Sequence, residues 1–330
     1  MQDKPIEDFW DWWTAVGRAA AEAGMRDCAF GAFDGEMNAH VEAMHADLAW
    51  ELMPGGQAEH ALVVTAAGVP GRRRLAERWF RGAPPADETW EYHPARQATP
   101  PSRMVMMDLN GCKLDLRKLT FDLHVDGDLI DTVICHPGFA AMPPEARDHV
   151  GYLTLDWVLG EDDVTRWIGT VETSAARPAG GGPAARLIEA VEALARRAAE
   201  PRWALMQGER DGALVVASLA LPAKWVDYPL LDLHIALALP FAEQTRAGLP
   251  GPGSLGRLRD FEDRLTGWLL PHIRLVAHET ARGVRTFHLY GDSDDPALAG
   301  QARDLVAGWP SATVRSSLDP GWRAIRHLSG

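Results

Sequence analysis

The chain predicts an α+β protein of two domains, the second a ferredoxin-like β-α-β-β-α-β sheet with an extra leading hairpin. Three observations carry this reading. The 330 residues, 46% of them hydrophobic, exceed what one core comfortably organises. Ser174 to Pro183, SAARPAGGGP, interrupts them with three glycines among prolines and small residues, which suit neither helix nor strand. Beyond it, two helical periods alternate with four strand-like runs. The reading sets a mixed N-terminal domain at 1–173, a linker at 174–183 and the ferredoxin-like domain at 184–330.

In the first domain, Phe9, Trp12, Trp13 and Val16 share one helical face, and Gly24 is a stop. Trp10, Trp12 and Trp13 beside Phe9 predict a core stripe with at least one ring left exposed. Met37, Val41 and Met44 mark a helix over 34–46. LAWELM and HALVVTA read as strands parted by Pro54-Gly55-Gly56. A helix over 73–81 puts Arg72, Arg73 and Arg74 on its wet face. TWEYH, MVMMDL, LTFDLHV and LIDTVIC read as strands, the last two joined at the hairpin signal Asp126-Gly127. Pro143 and Pro144 open a helix to Leu159. Glu161, Asp162 and Asp163 cap a short helix over 162–168.

In the second domain, Pro183 opens an amphipathic helix with Leu187, Ile188, Val191, Leu194 and Ala195 inward. RWALMQ and ALVVASLAL form a hairpin across 209–212. A strand at 230–239, a helix at 255–270, strands at 272–280 and 284–291, a helix at 296–308 and a strand at 311–318 complete the order.

Four stretches in this part carry a resemblance. Trp203, Tyr228-Pro229-Leu230-Leu231, the RTFHLYG strand at 285–291 and Asp319-Pro320-Gly321-Trp322 resemble a bacterial family known as domain of unknown function 695, over about residues 200–328. The FWDWW opening and VLGEDDVTRWIG at 158–169 are similar to regions that precede that domain in related bacterial proteins. The resemblance implies the fold. It implies no activity and no catalytic residue, because the family has none assigned.

Composition excludes several classes. A net charge of −13 and a pI near 5.4 repel phosphate backbones, so no nucleic-acid partner is expected. Cys28, Cys112 and Cys135 are widely spaced and odd in number, which rules out a disulfide framework and any CxxC motif. The acidic, aromatic start lacks the form of a signal peptide. The longest apolar run, Leu230 to Phe241, is broken by Asp232, His234 and Pro240, so no membrane span is expected. A cytoplasmic location follows.

The catalytic motifs fail one by one. Asp292, Asp294 and Pro296 begin an EF-hand pattern, but Ala297 stands at its glycine and Arg303 at its glutamate; Asp294 or Asp295 reads better as a helix cap. Gly251, Gly253 and Gly256 match G-x-G-x-x-G but lie about ten residues from the preceding strand. Ser254 has Pro252 where a nucleophile elbow needs glycine. His278-Glu279 lacks the second histidine of a zinc helix. No catalytic residue, metal or cofactor is assigned.

One constellation remains. Alternation along 230–239 turns Leu231, Leu233, Ile235, Leu237 and Leu239 inward, so Asp232 and His234 face the other way. Along 284–291, Phe287 and Leu289 turn inward and His288 and Tyr290 outward. A three-residue loop Ala281-Arg282-Gly283 would add Arg274 and His278 to the outward set. Asp232, His234, Arg274, His278, His288 and Tyr290 then share a face opposite the helices. The leading expectation is an interface there, covered by the first domain or a partner. The protein would be a non-catalytic protein-binding or regulatory module with a basic partner, as an immunity protein is for a toxin. The alternatives are a small-molecule or metal site through His234 and His288, or an enzyme with a histidine base beside Asp232.

Overall fold

Helices and strands intermix along the chain, and the strands fall into several separate sheets. The structure is a computed structural model describing residues 4–99, 106–109, 112–269 and 272–328. The chain divides into two compact units, Met1–Arg197 and Ala198–Gly330.

In the first unit, helices α1 (Lys4–Trp12), α2 (Arg18–Asp27), α3 (Phe33–Met44) and α4 (Pro70–Arg81) share a core with strands β1 (Ala49–Pro54), β2 (His60–Thr65) and β3 (Trp90–His93). Strand β2 is central, antiparallel to β1 and parallel to β3. The core is aromatic: Phe9, Trp10, Trp13, Trp79 and Trp90 are buried, and the Trp10 and Trp79 rings stack at 4.8 Å and 24°. Trp12 is the half-exposed member, lying on His40. A π-helical turn, Trp13–Gly17, carries the chain from α1 to α2, and a Cβ on Gly17 would meet the Trp12 ring at 2.8 Å.

The rest of this unit contains the hairpin β4 (Met106–Leu109) and β5 (Cys112–Asp115), the sheet β6 (Thr120–Asp126), β7 (Leu129–Cys135) and β8 (Ile168–Ser174), and helices α5 (Pro144–Leu159), α6 (Glu161–Trp167) and α7 (Ala184–Ala198). MVMMDL lies partly outside the described residues.

The expected linker at 174–183 is corrected here. Ser174 ends β8, a strand parallel to β7 that the sequence reading did not find. Gly182 and Phe121 exchange main-chain hydrogen bonds of 2.8 and 2.9 Å. Arg197 at the end of α7 donates to the Gly127 carbonyl at 2.6 Å. Glycine here permits close backbone pairing rather than a tether, and the division between units falls after Arg197.

The second unit is built on one antiparallel sheet. Its strands are β9 (Arg202–Arg210), β10 (Ala213–Leu221), β11 (Leu233–Pro240), β12 (Ile273–Ala281), β13 (Val284–Gly291) and β14 (Thr313–Leu318), in the order β14-β11-β13-β12-β10-β9. Helices α8 (Pro252–Trp268) and α9 (Leu298–Val306) cover one face. There Ile235, Leu237, Phe287 and Leu289 pack with Leu258, Phe261, Leu265, Leu298, Ala302 and Val306. Each of the larger side chains among them, Ala302 apart, contributes about 1.5–3 kcal/mol by leaving water. On the opposite face Ala217, Leu219, Val276 and Tyr290 pack with Leu231, Trp322, Ile325 and Leu328. Leu231 thus lies on the side opposite to the one expected, because it precedes β11 and escapes the strand's alternation. Among the described residues no helix is long and apolar enough to cross a membrane.

Candidate functional site

The predicted polar face exists, and the chain covers it with its own residues. Asp319 organises the cover. Its carboxylate accepts from the main-chain N–H of Arg323 and Ala324, both at 2.8 Å, and so starts the 3-10 turn Arg323–Leu328. Its Oδ2 also accepts the Tyr290 hydroxyl at 2.6 Å. Trp322 stacks on Tyr290 at 4.6 Å and donates from its indole N–H to the Leu231 carbonyl at 2.8 Å. The Asp319-Pro320-Gly321-Trp322 stretch therefore acts structurally, holding the turn onto the sheet.

Under this cover His234 and His288 are both buried, and their rings stack at 5.3 Å and 15°. His234 Nε2 lies 3.0 Å from His288 Nδ1. With His234 donating, His288 keeps its proton on Nε2, which faces the Glu279 carboxylate at 4.0 Å. Burial first, then the neighbouring His234, pushes the His288 imidazole down to about 4. Burial also lowers His234. Burial opposes the charge on Glu279, but hydrogen bonds from Arg210 and His327 hold its carboxyl below the usual range.

The other predicted residues scatter. Asp232 accepts from the main-chain N–H and hydroxyl of Ser293, both at 3.0 Å, and so pins the end of β13. Arg274 lies over the Tyr228 ring at 4.5 Å. His278 is corrected to the helix-side face. The β12–β13 turn has two residues, Arg282 and Gly283, both at positive φ, and pairs Ala281 with Val284. That register sets His278 opposite Phe287, and a bulge at Val276 restores Arg274 to its place opposite Tyr290. The same shift brings Glu279 to the polar face. Reading Arg-Gly as a two-residue turn would have found it; nothing local marks Arg210, Asp319 or His327.

Two stacked imidazoles sharing a hydrogen bond point their nitrogens at each other. Among the described residues no group of three or more His, Cys, Asp or Glu is placed to hold a metal ion. The adjacent cleft of about 210 Å³ is lined by Arg210, Glu279, Arg282 and Thr286, and neither histidine reaches it. At the glycine-rich entry to α8, Glu243 accepts from the N–H groups of Gly253 and Ser254, so its carboxylate takes the place a phosphate would need. Asp295 accepts from the Ala297 N–H ahead of α9, a local turn contact rather than a metal loop.

The pH dependence of this pair has a definite sign. Unfolded histidine titrates near 6.5 and folded His288 near 4. Between those values the unfolded chain binds more protons, so stability is lost as pH falls from 6.5 to 4. The loss from His288 is about 3 kcal/mol. Native-state hydrogen exchange of the β13 amides at pH 7 and pH 4, corrected for intrinsic rates, measures it within the second unit, and His288→Leu is expected to flatten the dependence. An equally steep dependence in that variant would exclude His288 as its source.

A second polar cluster, in the first unit, was missed. Arg73 and Arg74 are buried, correcting the wet-face reading of the arginine run. Arg73 reaches Asp162 at 3.0 Å and Glu77 at 3.1 Å. Arg96 is buried between Glu51 and Asp156, donating to Asp156 at 2.6 Å. Glu161 is buried and accepts from the Thr65 hydroxyl and the N–H groups of Gly68 and Arg96. Glu161 and Asp162 bind partners across the unit instead of simply capping α6, while Asp163 pairs locally with Arg166. Burial pushes the Asp156 carboxyl up to about 6 against the pull of Arg96. A cleft of about 810 Å³ opens nearby, but Glu51 and Glu91 on its wall are already engaged, Glu91 by the amides of Gly56, Gln57 and Ala58.

What stays open is the far end of the second-unit sheet. On the helix side the hairpin β9–β10 extends past the core. Trp203 is 52% exposed and Leu205 77% exposed, beside half-buried Leu214, Val216 and His278. Strand β9 is an edge, paired only with β10. No protein-family model, curated protein or solved structure matches this chain.

Proposed function

We propose that the chain is a non-catalytic protein-binding module that docks through the open edge of β9. The exposed Trp203 and Leu205 on that edge carry the reading. Folded proteins blunt their edge strands with proline, bulges or charge, since unpaired main-chain groups recruit other strands. From Trp203 to Gln207 this edge has none of these devices. The opposite edge, β14, is shorter and carries Arg315. An added strand would gain main-chain hydrogen bonds from β9 and apolar contact from the two side chains.

The finer fold reading belongs here too. The order β14-β11-β13-β12, with α8 and α9 on one face, supports a ferredoxin-like second unit extended by a leading hairpin. It also accords with membership of the bacterial family 695. Free Cys28 and Cys135 support a cytoplasmic setting. The net charge of −13 favours a second reading, an acidic partner for a basic protein.

A photo-crosslinking amino acid at position 205, expressed in the native host, tests the docking edge. A defined protein adduct is expected at 205 and none at exposed Val125 in the first unit. The same yield at both positions, or none at 205, would sink the proposal.

A further inference from the structure

We infer that the cleft of about 810 Å³ in the first unit binds a small organic cation, a protonated amine on an apolar body. The cleft lies on the second face of the β1-β2-β3 sheet. The cross-strand pairs Glu51–Val63, Val63–His93, Met53–Ala61 and Ala61–Glu91 share that face, while Leu62, Val64 and Tyr92 turn to the aromatic core on the other. Glu51, Met53, Ala61, Glu91 and His93 form its floor. Leu116, from the 3-10 turn Leu116–Lys118, and Trp157 of α5 add apolar wall. Small-molecule sites have volumes of about 300–1,000 Å³, mainly apolar walls and a few convergent polar groups.

The polar groups decide which molecule fits. Among the described residues the lining holds two carboxylates, Glu51 and Glu91, and no lysine or arginine. Burial opposes the charge on Glu91, but the amide of Gly56, the His93 ring and the amides of Ala58 and Gln57 hold its carboxyl down to about 2. These contacts fill its lone pairs, so Glu91 supplies fixed charge rather than a further hydrogen bond. His93 Nε2 donates to Glu91 at 3.0 Å, which leaves Nδ1 of the neutral ring as an acceptor. Gln97 on the rim donates from Nε2 to the Ala95 carbonyl at 2.9 Å, which leaves its Oε1 to accept. Arg96 supplies two donors to Glu51 Oε1 and one to Oε2, so Oε2 keeps a lone pair.

The engaged carboxylates are thus held in place, and what the cleft leaves over is a set of acceptors. Arg96 offsets the charge of Glu51, while the charge of Glu91 rests on neutral amides. An alcohol would satisfy the acceptors but not the charge. An anion would satisfy neither, and a protonated amine satisfies both. Neither these residues nor the test below involves the β9 edge.

Calorimetric titration of the full chain at about pH 8, where an alkylamine is protonated, tests the inference. The probes are tryptamine, tryptophol and indolepropionate, which share one apolar body and differ in charge. One-to-one binding of tryptamine is expected, with tryptophol weaker by about tenfold, the difference between a charged and a neutral hydrogen bond, and no binding of indolepropionate. Acetyl-lysine amide, which has the ammonium without the apolar body, is expected to bind far more weakly than tryptamine. Gln97 is exposed, so Gln97→Lys and Gln97→Glu are expected to keep the wild-type far-UV spectrum. The ammonium of Gln97→Lys competes for the same acceptors and should weaken tryptamine by about tenfold, while Gln97→Glu should tighten it. Tryptamine that binds no better than tryptophol, indolepropionate or acetyl-lysine amide overturns the inference. So does tryptamine binding that Gln97→Lys leaves unchanged, since the amine would then sit elsewhere on the molecule. Absence of saturable tryptamine binding overturns it as well.

Discussion

Replacing Arg96 with alanine is expected to destabilise the first unit by about 3–5 kcal/mol, the usual loss when one partner is removed from a buried ion pair. Arg96 is buried and engages Glu51 and Asp156 through its side chain, and Glu161 stands beside them. Without the guanidinium, carboxylates remain at a site where burial already pushes Asp156 up to about 6. Asp156 would escape by taking up a proton, and its pKa would rise further. The defect is therefore expected to shrink as pH falls from 7 to 5. Hydrogen exchange of the β2 amides, Ala61 to Val64, reads the effect within one unit, where global unfolding of a two-unit chain would mix signals. Exchange should quicken by about two to four orders of magnitude at pH 7. A change of less than about tenfold would show that the network lies outside the cooperative core.

Trp322→Ala is expected to cost the second unit about 3–5 kcal/mol, the range for emptying a buried aromatic site. Its ring is packed between Tyr290, at 4.6 Å, and Tyr228, at 5.7 Å, and its N–H holds the Leu231 carbonyl. The loss has a second, chemical reading. Burial is the first cause of the depressed His288 pKa. Loosening the cover should let water reach the histidine pair and return His288 toward 6.5. Proton NMR titration of the ring would follow this directly. A His288 pKa unchanged in Trp322→Ala would mean that the sheet, not the turn, keeps the pair dry.

Local pattern made part of this molecule legible and distance hid the rest. Alternation in 284–291 separates Phe287 and Leu289 from His288 and Tyr290 in the structure as it does in the sequence. His278 went to the wrong face because one residue of loop length decides parity for a whole strand. Arg73 and Arg74 look solvated in a helix of strongly polar composition; their burial depends on residues such as Asp162, about ninety positions away. The glycine run reads as a joint because its bond to Phe121 is also remote in sequence. The cover on the polar face was missed for the same reason: Trp322 and Ile325 carry no periodic signal that would aim them at a strand some thirty residues earlier.

The stacked Trp10 and Trp79 have an optical consequence. Two indoles 4.8 Å apart and 24° from parallel share their excited states, so their absorption splits into paired circular-dichroism bands of opposite sign. Among the described residues, tryptophans in ring contact with one another occur only in the first unit: Trp10 with Trp79, Trp12 with Trp13, and Trp13 with Trp90. In the second unit Trp322 neighbours tyrosines and Trp309 neighbours Phe261. The exciton couplet thus belongs to one unit alone. Its disappearance in a thermal scan would time the melting of that unit without any label, while the tyrosine-coupled signal of Trp322 reports the other in the same cuvette.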